Sequence, residues 1–146
     1  MQGFFRSRAD PVDYLLAAEA LLFLAIARFG LRFFHFQRVR RILSLFASIG
    51  RHLKSRGAAP PRLAWAIETA KRRSPRPGTC LADAIAAEAL FRQFGYAPVL
   101  CVGAAVYGGK FAAHAWLENN EVVMVGGPET FTRQFTRFPD LDQVAL

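Results

Sequence analysis

The hydrophobic period changes once along this chain, near residue 95, and that change limits the fold more than any other feature. Up to Phe94 the apolar residues recur at helical spacing. Beyond Gly95 they fall into short apolar and β-branched runs broken by glycine and asparagine. Helices followed by strands are an α+β order, not the alternation that builds a parallel α/β sheet. The expected architecture is a set of N-terminal helices, then one helix packed on a small antiparallel sheet.

A first helix is expected over 12–29, opened by Asp10-Pro11 and interrupted by Gly30. A second covers 36–49, with Val39, Ile42, Leu43, Phe46 and Ile49 at helical spacing and Gly50 as its end. Gly57-Ala-Ala-Pro-Pro61 reads as a turn and 62–73 as a short helix. Ser74-Pro-Arg-Pro-Gly78 reads as a loop, because each proline restricts the residue before it. Leu81 to Phe94 is strongly helical and is closed by Gly95. Strands are expected over 97–106, 111–117 and 122–125, joined by turns at Tyr107-Gly-Gly109 and Glu118-Asn-Asn-Glu121.

A chain of 146 residues fits one domain with a sizeable core. Its 53% apolar content, with 14 Phe, excludes a disordered chain. Two cysteines, Cys80 and Cys101, are too few for a disulfide framework at this length, which points to a reducing, cytoplasmic setting. The net charge is +8 and the basic residues concentrate in the first half. That balance suits an acidic partner, a nucleic acid or an anionic membrane surface, or simply a solvated face. No nucleic-acid module pattern is present, so no nucleic-acid partner is expected. Asp10, Asp13 and Glu19 are the wrong flanks for a signal peptide. The run from Tyr14 to Phe36 is interrupted by Glu19, Arg28, Arg32 and His35, which fits a buried or interfacial helix better than a membrane span. Phe4, Phe5, Phe33, Phe34 and Phe36 mark the N-terminal helices as a candidate docking surface.

Cys80 follows the Pro/Gly loop and stands at the start of a helix. Unpaired backbone N–H groups and the helix dipole there favour a thiolate and can hold an oxyanion. A structural cysteine belongs in the apolar middle of an element, as Cys101 does in Val99-Leu-Cys-Val102. His114 lies in Phe-Ala-Ala-His-Ala-Trp-Leu, on a following strand, with small neighbours that leave room for approach. A thiol at a helix start and an imidazole on a strand are what a Cys–His pair requires. His35 and His52 lack such a setting, and no zinc-ligand spacing exists, so neither a metal nor another cofactor is expected. A third group should orient the base. With Asn119-Asn120 as the turn, the register puts Val125 opposite His114 and Val123 and Gly127 diagonal to it, none bearing a carboxylate. Glu118 shares the face of His114 but is roughly 13 Å along the strand. Glu129, Asp140, Asp142, an amide side chain or a backbone carbonyl remain as candidates. Trp116 points to the same face as His114 and is expected to shield it from water. Trp65 is expected in the core or a cleft wall, and Tyr107 at a cleft border.

Four segments in this order resemble the lasso-peptide leader peptidase family, a branch of the transglutaminase-like, papain-related cysteine peptidases. They are Arg62-Leu-Ala-Trp-Ala-Ile67, Gly78-Thr-Cys-Leu81, Ala89-Leu-Phe91 with Gly95, and Phe111-Ala-Ala-His-Ala-Trp-Leu-Glu118. The resemblance spans about residues 14–138. It implies a helical region over 1–57 and a peptidase core over 58–146. It also implies hydrolysis of one peptide bond between leader and core of a ribosomally made precursor, with Cys80 attacking and His114 moving the proton. Members of that family place an Asp on the strand after the histidine strand, a position that falls near Gly126 or Gly127 here. The implied outcomes are a substitute orienting group, a working dyad, or an inactive member. The implied partners are the precursor peptide, a separate leader-recognition protein and an ATP-dependent macrolactam synthetase. An acyl-transferring relative and a non-catalytic basic scaffold are the competing readings.

Overall fold

The structure, a computed structural model, describes residues 10–53, 57–75 and 78–139. The elements follow as α1 (Pro11–Phe33), α2 (Phe36–Leu53), α3 (Pro60–Arg73), α4 (Cys80–Gln93), β1 (Val99–Tyr107), β2 (Lys110–Asn119), β3 (Val122–Val125), α5 (Glu129–Thr132) and β4 (Thr136–Arg137). The strands form one antiparallel sheet in the order β3-β2-β1-β4. The α+β expectation therefore holds, with one more strand and one more short helix than the periodicity indicates.

α4 is the centre of the molecule. It packs against α1, α2 and α3 and against β1, β2 and β3. Its alanines at 82, 84, 86, 87 and 89 are all buried. Small side chains let neighbours close in from every side, and alanine is also the best helix former. Ile85, Leu90 and Phe91 supply the bulk between them and are 1%, 0% and 0% exposed. Each such side chain contributes roughly 2 kcal/mol by leaving water. One core cluster joins Phe23 and Leu24 of α1, Val39 and Leu43 of α2, Leu63 and Ile67 of α3, and Leu100, Ala115, Leu117 and Val125 of the sheet.

α4 also carries a buried carboxylate. Glu88 is 3% exposed and accepts a two-pronged bond from Arg40 of α2, with Nε and Nη2 at 2.9 and 2.7 Å, and a third from Arg92 at 2.9 Å. The fork geometry of the guanidinium matches both carboxylate oxygens, which compensates the loss of hydration.

Four boundaries differ from the sequence expectation for identifiable reasons. α1 continues through Gly30, and α2 through Gly50. A Cβ on Gly30 would stand 3.0 Å from Val39 Cγ2, and one on Gly50 2.5 Å from Gln93 Oε1. Both glycines serve close helix contacts, not helix ends. α3 begins at Pro60, because Pro60 and Pro61 occupy the first turn, where a missing N–H costs nothing. The fourth difference is the β2–β3 turn. Asn120 and Glu121 have positive φ, 50° and 64°, so they are its central residues. Asn119 pairs with Val122, Glu118 with Val123 and, after a register shift, Leu117 with Val125. Val125 therefore faces Leu117, not His114.

Strand alternation divides the sheet into two sides. Leu100, Ala115, Leu117 and Val125 face the helices. Cys101, Trp116 and Phe135 form a second, smaller cluster. His114 belongs to this second side, since its ring lies against those of Trp116 and Phe135.

Candidate active site

Cys80 is the first residue of α4, and Thr79 is the cap. Thr79 Oγ1 accepts from Ala82 N at 3.2 Å, and Thr79 O accepts from Asp83 N at 3.1 Å. The N–H groups of Cys80 and Leu81 precede the first possible intrahelical bond, so the helix offers them no acceptor. They project from the positive end of the helix dipole beside a half-buried free thiol. That set can hold a developing oxyanion.

The loop before Cys80 is braced from α1. Arg28 donates through Nη1 to Ser74 Oγ and through Nη2 to Asp83 Oδ1 at 3.1 Å. Lys71 Nζ lies 3.8 Å from Asp83 Oδ2. The guanidinium crosses so close to Gly78 that a Cβ there would be 2.2 Å from Arg28 Nε. Asp83, in the first turn of α4, is thereby held between two cations, and the chain entering Cys80 is tied to the body of the protein.

His114 is half-buried on β2, with Nε2 2.6 Å from Gly126 O. A carbonyl oxygen only accepts, so Nε2 carries the proton, and in the neutral ring Nδ1 is the bare, basic nitrogen. A main-chain carbonyl therefore occupies the position of the third group. Gly126 has φ 114°, and a Cβ on it would be 2.5 Å from Trp116 Cβ. Only glycine brings its carbonyl to the ring in this way. The ring itself is walled on three sides. Trp116 stacks on it with planes 17° apart and centroids at 6.1 Å. Phe131 and Phe135 lie at 5.1 and 5.2 Å. Trp116 is fixed in turn by Glu118, whose Oε1 accepts from Nε1 at 2.8 Å while Oε2 meets Arg137 of β4 at 3.3 Å. Opposite His114 on β1 is Gly103, where a Cβ would come within 3.0 Å of Phe135 Cβ and 3.1 Å of Trp116 Cη2.

Among the described residues no hydrogen bond joins Cys80 to His114. Cys80 packs against the helix-side core, and His114 stands on the other side of β2. The ladder between β2 and β3 ends at the Leu117–Val125 pair, so β2 is an edge strand at His114. Glu129 opens α5 and is ion-paired to Arg133, while Phe131 of the same helix reaches the His114 ring. Asp140 and Asp142 lie outside the described residues. Trp116 flanks His114 as its position in the strand indicates. Trp65 is half-buried against the main core. Cys101 is 1% exposed and packs with Trp116 and Phe135. Tyr107 donates to Gln134 Oε1 at 2.7 Å, at the turn end of the β1–β2 hairpin.

The sequence leaves a backbone carbonyl open as one orienting group among several and does not identify which. The available signal was the Gly126-Gly127 pair directly after a strand, where two successive glycines mark a backbone path closed to other residues. The wall formed by Phe131 and Phe135 had no signal, because it depends on a four-residue helix that periodicity does not reveal.

The arrangement can now be compared with known proteins. Residues 22–139 match the family described as the transglutaminase-like superfamily. The chain belongs to the transglutaminase-like superfamily. The matched span runs from α1 through β4 and includes Cys80, His114 and Gly126. Comparison with curated proteins and with solved structures gives no match. This superfamily includes cysteine peptidases and acyltransferases, which share thiol-based acyl chemistry.

Proposed function

We propose that this chain is a cytoplasmic cysteine peptidase that removes the leader peptide from a lasso-peptide precursor before macrolactam formation. The observation that carries the catalytic part is the tautomer of His114. With Nε2–H donated to Gly126 O, Nδ1 is left as the base a thiol nucleophile needs. Superfamily membership and the position of Cys80 at the start of α4 support the same reading.

In the proposed mechanism, Cys80 and His114, which lie on opposite sides of β2 in the free protein, are brought together by a rearrangement at the β2 edge that accompanies peptide binding. Nδ1 takes the thiol proton and Sγ attacks the scissile carbonyl. The amides of Cys80 and Leu81 receive the oxyanion. The imidazolium returns its proton to the leaving amine, and the leader remains as a thioester on Cys80. Water, deprotonated by the same Nδ1, then hydrolyses the thioester. Gly126 O holds Nε2–H in the free protein and so sets the tautomer. Trp116, Phe131 and Phe135 keep bulk water from its faces. A separate leader-recognition protein delivers the precursor, and a macrolactam synthetase consumes the core peptide.

The test is cleavage of a cognate precursor with its recognition protein present, read by mass spectrometry. Wild type should cut a single leader–core bond, and Cys80→Ala and His114→Ala should each lower the rate by at least about a thousandfold. Full cleavage by Cys80→Ala would sink the proposal. Joining of the acyl fragment to an added amine, with no free acid formed, would instead favour an acyltransferase.

A further inference from the structure

The outer face of the first two helices has no place in the catalytic reading. α1 is 23 residues long with a mean hydropathy of 1.8 over its most apolar window, yet only 33% of that window is buried. Leu16, Ala20, Phe23, Leu24 and Ala27 face the core. Leu15, Leu22 and Phe29 recur every seven residues on the outside and are 71%, 58% and 67% exposed, followed by Phe33 at 62%. The stripe ends in an apolar groove shared with α2, of about 440 Å³, lined by Ala25, Ile26, Phe29, Phe34, Val39 and Ile42. Apolar surface of this extent is normally covered by something.

The charge beside the groove says what. No acidic residue occurs from Ala20 to Ile67. Arg32, Arg38 and Arg41 stand exposed around the α1–α2 elbow, and Arg38 lies 6.0 Å from the centre of the Phe34 ring. At the elbow, aromatic side chains edged by arginines without acids are the composition of an interfacial helix, and Glu19, between Leu15 and Leu22, is engaged by Gln93 of α4. The apolar groups enter the boundary between headgroups and acyl chains, and each arginine meets an anionic headgroup. α1 does not cross the bilayer on this account, because its opposite side is committed to α3 and α4.

We propose that the α1–α2 face is a docking surface for an anionic lipid bilayer, seating the protein on the membrane with α1 lying in the interface. The proposal is independent of the peptidase reading.

The test is sedimentation of the purified chain with vesicles of phosphatidylcholine alone or mixed with phosphatidylglycerol. Binding should require phosphatidylglycerol and weaken as salt is raised. Phe29→Ser/Phe33→Ser and Arg32→Glu/Arg41→Glu change exposed residues and should retain the wild-type circular dichroism. Each should weaken binding by at least about tenfold. Absence of binding to either vesicle overturns the proposal, as does binding that neither variant alters. A wild-type dimer in solution that Phe29→Ser/Phe33→Ser converts to monomer, with no vesicle binding, also overturns it and assigns the face to a second copy of the chain.

Discussion

His114 takes its orientation from a main-chain carbonyl, and that changes what a substitution can reach. A carboxylate in this position can be deleted at its side chain. The Gly126 carbonyl can be displaced only by moving the backbone. Gly126→Ala does so, since its methyl would fall 2.5 Å from Trp116 Cβ at a φ of 114°. We predict a loss of stability on the order of 2 kcal/mol, measured by urea unfolding, together with a peptidase activity close to that of His114→Ala. An active, equally stable Gly126→Ala protein would remove the carbonyl from the account. A neutral carbonyl also stabilises an imidazolium less than a carboxylate does. The remaining support for the ring is steric, from Trp116, Phe131 and Phe135.

The two elements that carry the proposed chemistry are α4 and the β2–β3 hairpin, and each has a residue whose substitution isolates its contribution. Thr79 caps α4 through Oγ1. Thr79→Ala should cost about 1 kcal/mol and lower activity by loosening the helix end, while Thr79→Ser keeps both. Thermal unfolding and peptide cleavage on the same samples check this. In the hairpin, Glu121 holds a left-handed conformation that glycine adopts without strain. Glu121→Gly should therefore raise stability by roughly 1 kcal/mol, seen as a higher melting temperature. Much of this was legible beforehand. The change of period near Gly95, the place of Cys80 at a helix start and the shared face of His114 and Trp116 follow from spacing alone. The turn register did not, because Asn119-Asn120 and Asn120-Glu121 are both plausible turn pairs and a bulge then shifts the count again. Glycine was misread at 30 and 50 for a related reason. Its missing side chain serves a helix contact as readily as a helix end, and only the neighbour, Val39 or Gln93, tells which.

At the scale of the whole molecule, the helical half and the sheet are built on one helix. α4 carries Cys80 at its start, the Ala-rich core along its length, and Glu88 buried between Arg40 and Arg92. Removing that carboxylate takes away the buried acceptor that Arg40 and Arg92 share. Glu88→Ala should lower stability by roughly 3 kcal/mol in chemical denaturation, far more than an exposed ion pair is worth. At the start of the same helix, Cys80 Sγ is the atom we propose becomes acylated. The most direct measurement is intact-protein mass spectrometry after mixing with an activated ester of the leader peptide, followed by peptide mapping. The account predicts one acyl group, located on Cys80 and absent from Cys80→Ala, with buried Cys101 untouched. Acylation of Cys101, or none on the wild-type protein, would contradict it.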